Sequence, residues 1–200
     1  MKYFRRETED GYESQLATNY LGHFLLTHLL LPPLTKSAAD NKTETCRIVN
    51  VSSCAHYMGS WMDWNDLHLN TFYSPEQSYG NSKAAQIMST RYLGNMLDTQ
   101  GHDIRVVSIH PGVVFTDLYV NVWWMKIFSL FARLVMKTPE QGGDTIVHAA
   151  LDQDMLSWGQ SLHLENHRES RVSSWCQSRD NQEKLWRLTC DMLQINNFGQ

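Results

Sequence analysis

Arg47-Ile48-Val49-Asn50-Val51-Ser52-Ser53 reads as a buried β-strand ending in two hydroxyls, and this strand decides the fold together with the elements downstream of it. Its apolar residues do not keep to alternate positions, as expected of a strand covered on both faces. Downstream, Ser74-Pro75-Glu76 opens a helix over 76–99, with a capping serine and a proline at the first helical position. A second strand comes next through Ile104-Arg105-Val106-Val107-Ser108-Ile109, and a third is expected near 160–164. Strand, long helix and strand in this order predict an α/β fold with a parallel sheet. Upstream, apolar residues recur at helical spacing through Leu21, Phe24, Leu25, Leu29 and Leu31. They predict a helix over 12–34 that Pro32-Pro33 stops.

Within the long helix lies Ser78-Tyr79-Gly80-Asn81-Ser82-Lys83. A tyrosine four residues before a lysine shares a helical face with it. The ammonium then favours the phenolate and lowers the tyrosine's pKa from its reference of about 10. A phenol tuned in this way can exchange a proton with an alcohol or a carbonyl near neutral pH. Alone, the spacing is weak and more often surface decoration. Its weight comes from Asn19-Tyr20-Leu21-Gly22-His23-Phe24 and Val51-Ser52-Ser53 before it, and from His110-Pro111-Gly112-Val113-Val114 and Thr116-Asp117 after it.

With these elements in this order, the chain resembles the short-chain dehydrogenase/reductase family along nearly its whole length. Further pieces point to the retinol-dehydrogenase-like branch, close to its X-linked member. They are Val51-Ser52-Ser53-Cys54-Ala55-His56, Tyr73-Ser74-Pro75 and Lys137-Thr138-Pro139-Glu140-Gln141-Gly142. The resemblance implies that Tyr79 is the acid/base and also contacts the cofactor, that Lys83 tunes it and binds the nicotinamide ribose, and that Ser53 orients the substrate oxygen. Ser52 takes the last role if the register differs by one. Asn19 would hold a water relaying protons from Lys83 to solvent, and Pro111, Gly112, Val114 and Thr116 would wall in the nicotinamide. The implied cofactor is NAD or NADP, and the implied substrate is a lipophilic alcohol or carbonyl such as a retinoid, steroid or polyprenol. The implied location is the cytoplasm, or the cytosolic face of the endoplasmic reticulum or of lipid droplets.

One family element is not in this sequence. None of its 11 glycines forms the Gly-rich turn whose backbone and adjoining helix hold the pyrophosphate. The family's Asn-Asn-Ala-Gly segment is also absent, and Met1-Lys2-Tyr3-Phe4 aligns just after it. The expectation is a single partial domain over 1–200, the C-terminal part of a doubly wound parallel sheet without its first βαβ units, closing in a polar tail and helix over 168–200. The strand near 47–52 would then be an open edge, leaving the chain marginally stable and weak in cofactor binding.

Composition adds exclusions. A formal net charge of −4 without a Lys/Arg run gives nothing for nucleic acid to bind. Cys46, Cys54, Cys176 and Cys190 show no metal or redox spacing, so reduced thiols are expected. His163 and His167 sit four apart, but on a strand running into a loop, and read as surface histidines; no metal is expected. His23 and His110 have family counterparts in packing and are assigned no chemistry. The N-terminus is too polar for a signal peptide. Asn41-Lys42-Thr43 fits a glycosylation sequon, which matters only in a secretory compartment. The segment 122–136, rich in tryptophan, phenylalanine and leucine, suits a lid over a long apolar substrate or a helix at a membrane interface. Plain helix packing fits it equally well.

Two function classes remain open: an oxidoreductase, or an inactive chain that binds a lipid or pairs with an intact homologue. Family dimers join through the two long helices, so a homodimer through 12–34 and 76–99 is physically open to it.

Overall fold

The computed structural model describes residues 4–40, 45–114, 136–153 and 161–200. Helix α1 runs through Ser14–Leu16, a π-helical turn at Ala17–Leu21, and Gly22–Asp40. Glu13 caps it, accepting from the backbone N–H groups of Gln15 and Leu16. Strand β1, Cys46–Val51, leads into a single 3-10 turn, Cys54–Tyr57, and then to helix α2, Pro75–Thr99. Strand β2, Ile104–His110, precedes helix α3, Pro139–Leu151. A hairpin of β3, His163–Glu165, and β4, Arg168–Glu169, is succeeded by helices α4, Ser174–Gln177, and α5, Arg179–Met192.

The strands lie in the order β1-β2-β3-β4. β1, β2 and β3 are parallel, with Val51 opposite Ile109, and β4 returns antiparallel. The α/β class is as the sequence predicts, and the small antiparallel strand β4 is an addition. β2 is buried almost throughout because both faces are covered. Ile104 and Val106 join the main core with Ala84, Ile87 and Met88 of α2, Leu16, Tyr20 and Phe24 of α1, and Leu185 and Trp186 of α5. Val107 and Ile109 join Ala149 of α3, with Leu162 and Leu164, in a smaller core on the other face. The stretch that reads as a polar tail therefore supplies part of the main core.

Pro32 and Pro33 do not stop α1, contrary to expectation. Each internal proline costs a helix about 3 kcal/mol, largely through a lost hydrogen bond and a steric clash. Here both prolines are exposed, so water can take the carbonyls they orphan. Continuing to Asp40 also keeps Leu34 and Ala38 against the main core. α2 begins as predicted, with Ser74 Oγ accepting from Gln77 N–H at 3.3 Å and Pro75 at the first position. All four cysteines are free thiols. No described helix is long and apolar enough to cross a membrane.

Candidate active site

β1 and β2 end side by side, and a cavity of about 330 Å³ opens beyond their carboxyl ends. Ligands bind at this end of open parallel sheets. Ser52 and Ser53 reach it from the end of β1, Tyr79 and Lys83 from α2, and His110, Pro111 and Gly112 from the end of β2. Val113 and Val114 continue that wall, and Gly142, Gly143 and Ile146 of α3 close the far side.

The two serines differ in bonding. Ser52 is buried, and its hydroxyl donates to the Lys83 carbonyl at 2.8 Å. Ser53 caps the 3-10 turn, its Oγ accepting from Ala55 N–H at 3.2 Å. That bond occupies a lone pair and leaves the Ser53 hydroxyl hydrogen available to donate. Lys83 Nζ lies 5.6 Å from the centre of the Tyr79 ring and donates to the Val51 carbonyl at 2.9 Å. Burial brings the Lys83 pKa down to about 8 from 10.5.

Close backbone contact sets the Tyr79 helix against the Ser53 turn. Gly59 and Gly80 meet so tightly that a Cβ on Gly59 would lie 2.1 Å from the Gly80 oxygen. On the opposite wall Gly112 has φ +94°, in the left-handed region that favours glycine. Lys137 braces this loop: its backbone N–H donates to the Val113 carbonyl at 2.9 Å and its Nζ to the Pro111 carbonyl at 3.2 Å.

Asn19 lies outside the cavity lining. It sits in the π-helical turn of α1, and its side-chain N–H donates to Ser82 Oγ at 3.0 Å. Its carbonyl accepts from the Gln86 amide, with His23 Nδ1 2.9 Å away. Thr116 and 122–135 lie outside the described residues, as does the sequon Asn41-Lys42-Thr43. In the sequence Lys137 marks only the family branch, because nothing local shows that it reaches Pro111.

Three histidines near the cavity are buried. The sequence predicts His163 at the surface, but it is 3 % exposed, its Nδ1 3.0 Å from Ser108 Oγ. Burial, reinforced by His56 and His110, brings its pKa down to about 3. His56 and His110 are also pushed below the ordinary histidine range, chiefly by burial. His167 stands apart in the hairpin turn, 2.9 Å from Asp144. Among the described residues no group of three or more His, Cys, Asp or Glu side chains could hold a metal ion.

Parallel strands converging on a cavity lined by a tyrosine, a lysine and a serine define an α/β protein with a candidate site at its strand ends. Residues 1–126 match the model of the short chain dehydrogenase family, and the chain belongs to that family of oxidoreductases. It is 35 % identical to polyprenol dehydrogenase of Homo sapiens over 190 residues, covering 94 % of this chain and 56 % of that protein. To retinol dehydrogenase 11 of Homo sapiens it is 36 % identical over 195 residues, again covering 94 % and 56 %. The chain thus spans a little over half the length of these relatives. A solved protein of Mycobacterium paratuberculosis superposes with TM-score 0.69 at 28 % identity, covering 96 % of this chain and 62 % of that one. An NADPH-bound carbonyl reductase from chicken fatty liver gives 0.54 at 25 % identity, covering 86 % and 64 %.

Proposed function

We propose that this chain carries the acid–base part of a nicotinamide-dependent oxidoreductase that interconverts a lipophilic alcohol and its carbonyl. What supports the reading most is that Tyr79, Lys83 and Ser53 reach one cavity. Tyr79 Oη exchanges a proton with the reacting oxygen, and the Ser53 hydroxyl donates to the same atom. Lys83 sets a positive charge beside the Tyr79 ring that stabilises the oxygen once its proton has left. Asn19 acts one step back. Its backbone carbonyl already accepts from the Gln86 amide, so its side-chain oxygen is the atom proposed to hold a relay water.

Bound nicotinamide, as NAD or NADP, would supply or accept the hydride. The residues present fit its ribose and ring end: Lys83 offers a half-buried cation, Gly112 presents no Cβ, and Pro111 and Val114 form a wall. Thr116 completes that set by sequence. No Gly-rich pyrophosphate turn stands beside these residues in the sequence. The apolar rim of Val51, Val113, Val114 and Ile146 supports a lipophilic substrate, in keeping with the relatives' names.

A second reading keeps the chain inactive, acting only by binding a lipid or pairing with a homologue. Exposed Leu25, Leu26, Leu29 and Leu30 on α1 favour it. Cofactor fluorescence and thermal shift with NADPH and NADH separate the two, and oxidation of retinol or a polyprenol is measured next. Cofactor binding with turnover that Tyr79→Phe abolishes supports the enzyme. No binding, even by a version extended upstream, overturns it.

A further inference from the structure

Ser53 acts only if its hydroxyl is held toward the cavity, and the residue that holds it lies one turn further on. His56 is 1 % exposed. Its Nδ1 lies 2.8 Å from the Ser53 carbonyl, and its Nε2 receives the Ser173 backbone N–H at 3.4 Å. A backbone N–H can only donate, so Nε2 accepts and carries no hydrogen. In a neutral imidazole the hydrogen is then on Nδ1, which donates to the Ser53 carbonyl. The backbone N–H of His56 donates to the same carbonyl at 3.1 Å. Two donors from one residue therefore fix the peptide after Ser53, and with it the direction of the serine. The neighbouring Tyr57 hydroxyl donates to the Arg171 carbonyl at 3.1 Å. The turn is thus tied at two points to the segment entering α4.

Resting on the role proposed for Ser53, we propose that His56 is a positioning residue for it. Nδ1–H locks the Ser53 turn, while Nε2 takes its own orientation from the backbone of residues 171–173. The helical tail beyond residue 173 is thereby coupled to the cavity through one imidazole. The titratable and charged groups facing His56 are Glu165 and His163 of β3, His110 of β2, and Tyr57 on its own turn. Protonation at Nε2 would set two donors against each other at Ser173 and break the bridge.

Three substitutions separate the two nitrogens. His56→Asn keeps a donor near Nδ1 and drops the acceptor; His56→Gln can reach Ser173 with its oxygen but abandons Ser53; His56→Phe drops both. We expect His56→Asn to keep most of the wild-type kcat. His56→Gln and His56→Phe should lose about 10-fold, the equivalent of one lost supporting hydrogen bond, with the cofactor KM unchanged. In 15N-histidine NMR, His56 should show the Nδ1–H tautomer, and the Ser53 shifts should be held by His56→Asn but moved by His56→Gln. An Nε2–H tautomer, or Ser53 shifts moved as far by His56→Asn as by His56→Phe in proteins of equal Tm, overturns the proposal. Absence of wild-type turnover with cofactor bound would instead sink the functional reading, and the NMR comparison would still decide the role of His56.

Discussion

Lys83 is a cation set where burial opposes its charge. Its folded pKa of about 8 lies below the ordinary 10.5, so between these values the unfolded chain holds a proton that the folded chain has released. Stability therefore rises with pH across that window; below about pH 8 both states are protonated and the penalty is complete. Amine acylation and peptide mass mapping should label Lys83 with a midpoint near pH 8. A midpoint like those of the other lysines would mean that the ammonium is not desolvated. On the role proposed for Tyr79, Tyr79→Phe removes only its phenol oxygen, and a loss of about 10²- to 10⁴-fold in kcat is expected from steady-state kinetics. The tyrosine–lysine pair was legible because helical spacing alone puts both side chains on one face. Only the family resemblance favours Ser53 over Ser52, since adjacent serines at a strand end look alike. Their bonding differs, because Ser52 folds back onto the Lys83 carbonyl.

Helix α2 is the element on which the site depends, and its contact with the Ser53 turn tolerates no added atom. A Cβ on Gly80 would lie 2.7 Å from Gly59 N and 2.8 Å from the Ala55 carbonyl. Gly80→Ala must therefore push backbone against backbone. It should cost about 1–3 kcal/mol, the usual range for overpacking, read as a lower urea midpoint. Because Gly80 comes directly after Tyr79, activity should fall further than stability alone explains. The same helix is pinned at its start: the Ser78 hydroxyl donates at 2.8 Å to Glu13, the buried cap of α1. The start of α2 was legible in Ser74-Pro75-Glu76, since a cap and a first-turn proline act locally. The end of α1 was not, because a proline rule assumes that the helix gains nothing by continuing. Leu34 and Ala38 gain core contacts that no local pattern announces.

At the scale of the whole molecule, β1 is an edge strand among the described residues. The Ser52 N–H bonds to Ile109 across the β1–β2 pair, so the amides of residues 48 and 50 share its side and those of 47, 49 and 51 face outward. Hydrogen exchange should find 48, 50 and 52 protected and 47, 49 and 51 fast. Uniform protection would mean that another strand covers the edge. An open parallel edge together with exposed leucines on α1 also predicts turbidity on warming that grows with concentration. Leu29→Lys, on the exposed face of α1, should reduce it in light-scattering measurements. The sequence by itself determined the order of the main strands and helices and the Tyr79–Lys83 pair, because periodicity, capping and helical spacing act over a few residues; the Pro111–Gly112 wall came only through the family resemblance. Only the tertiary structure decided that Lys137 braces the wall, that His56 links Ser53 to the tail, and that α5 completes the core. Each of those joins residues far apart in the chain, and packing rather than spacing brings them together.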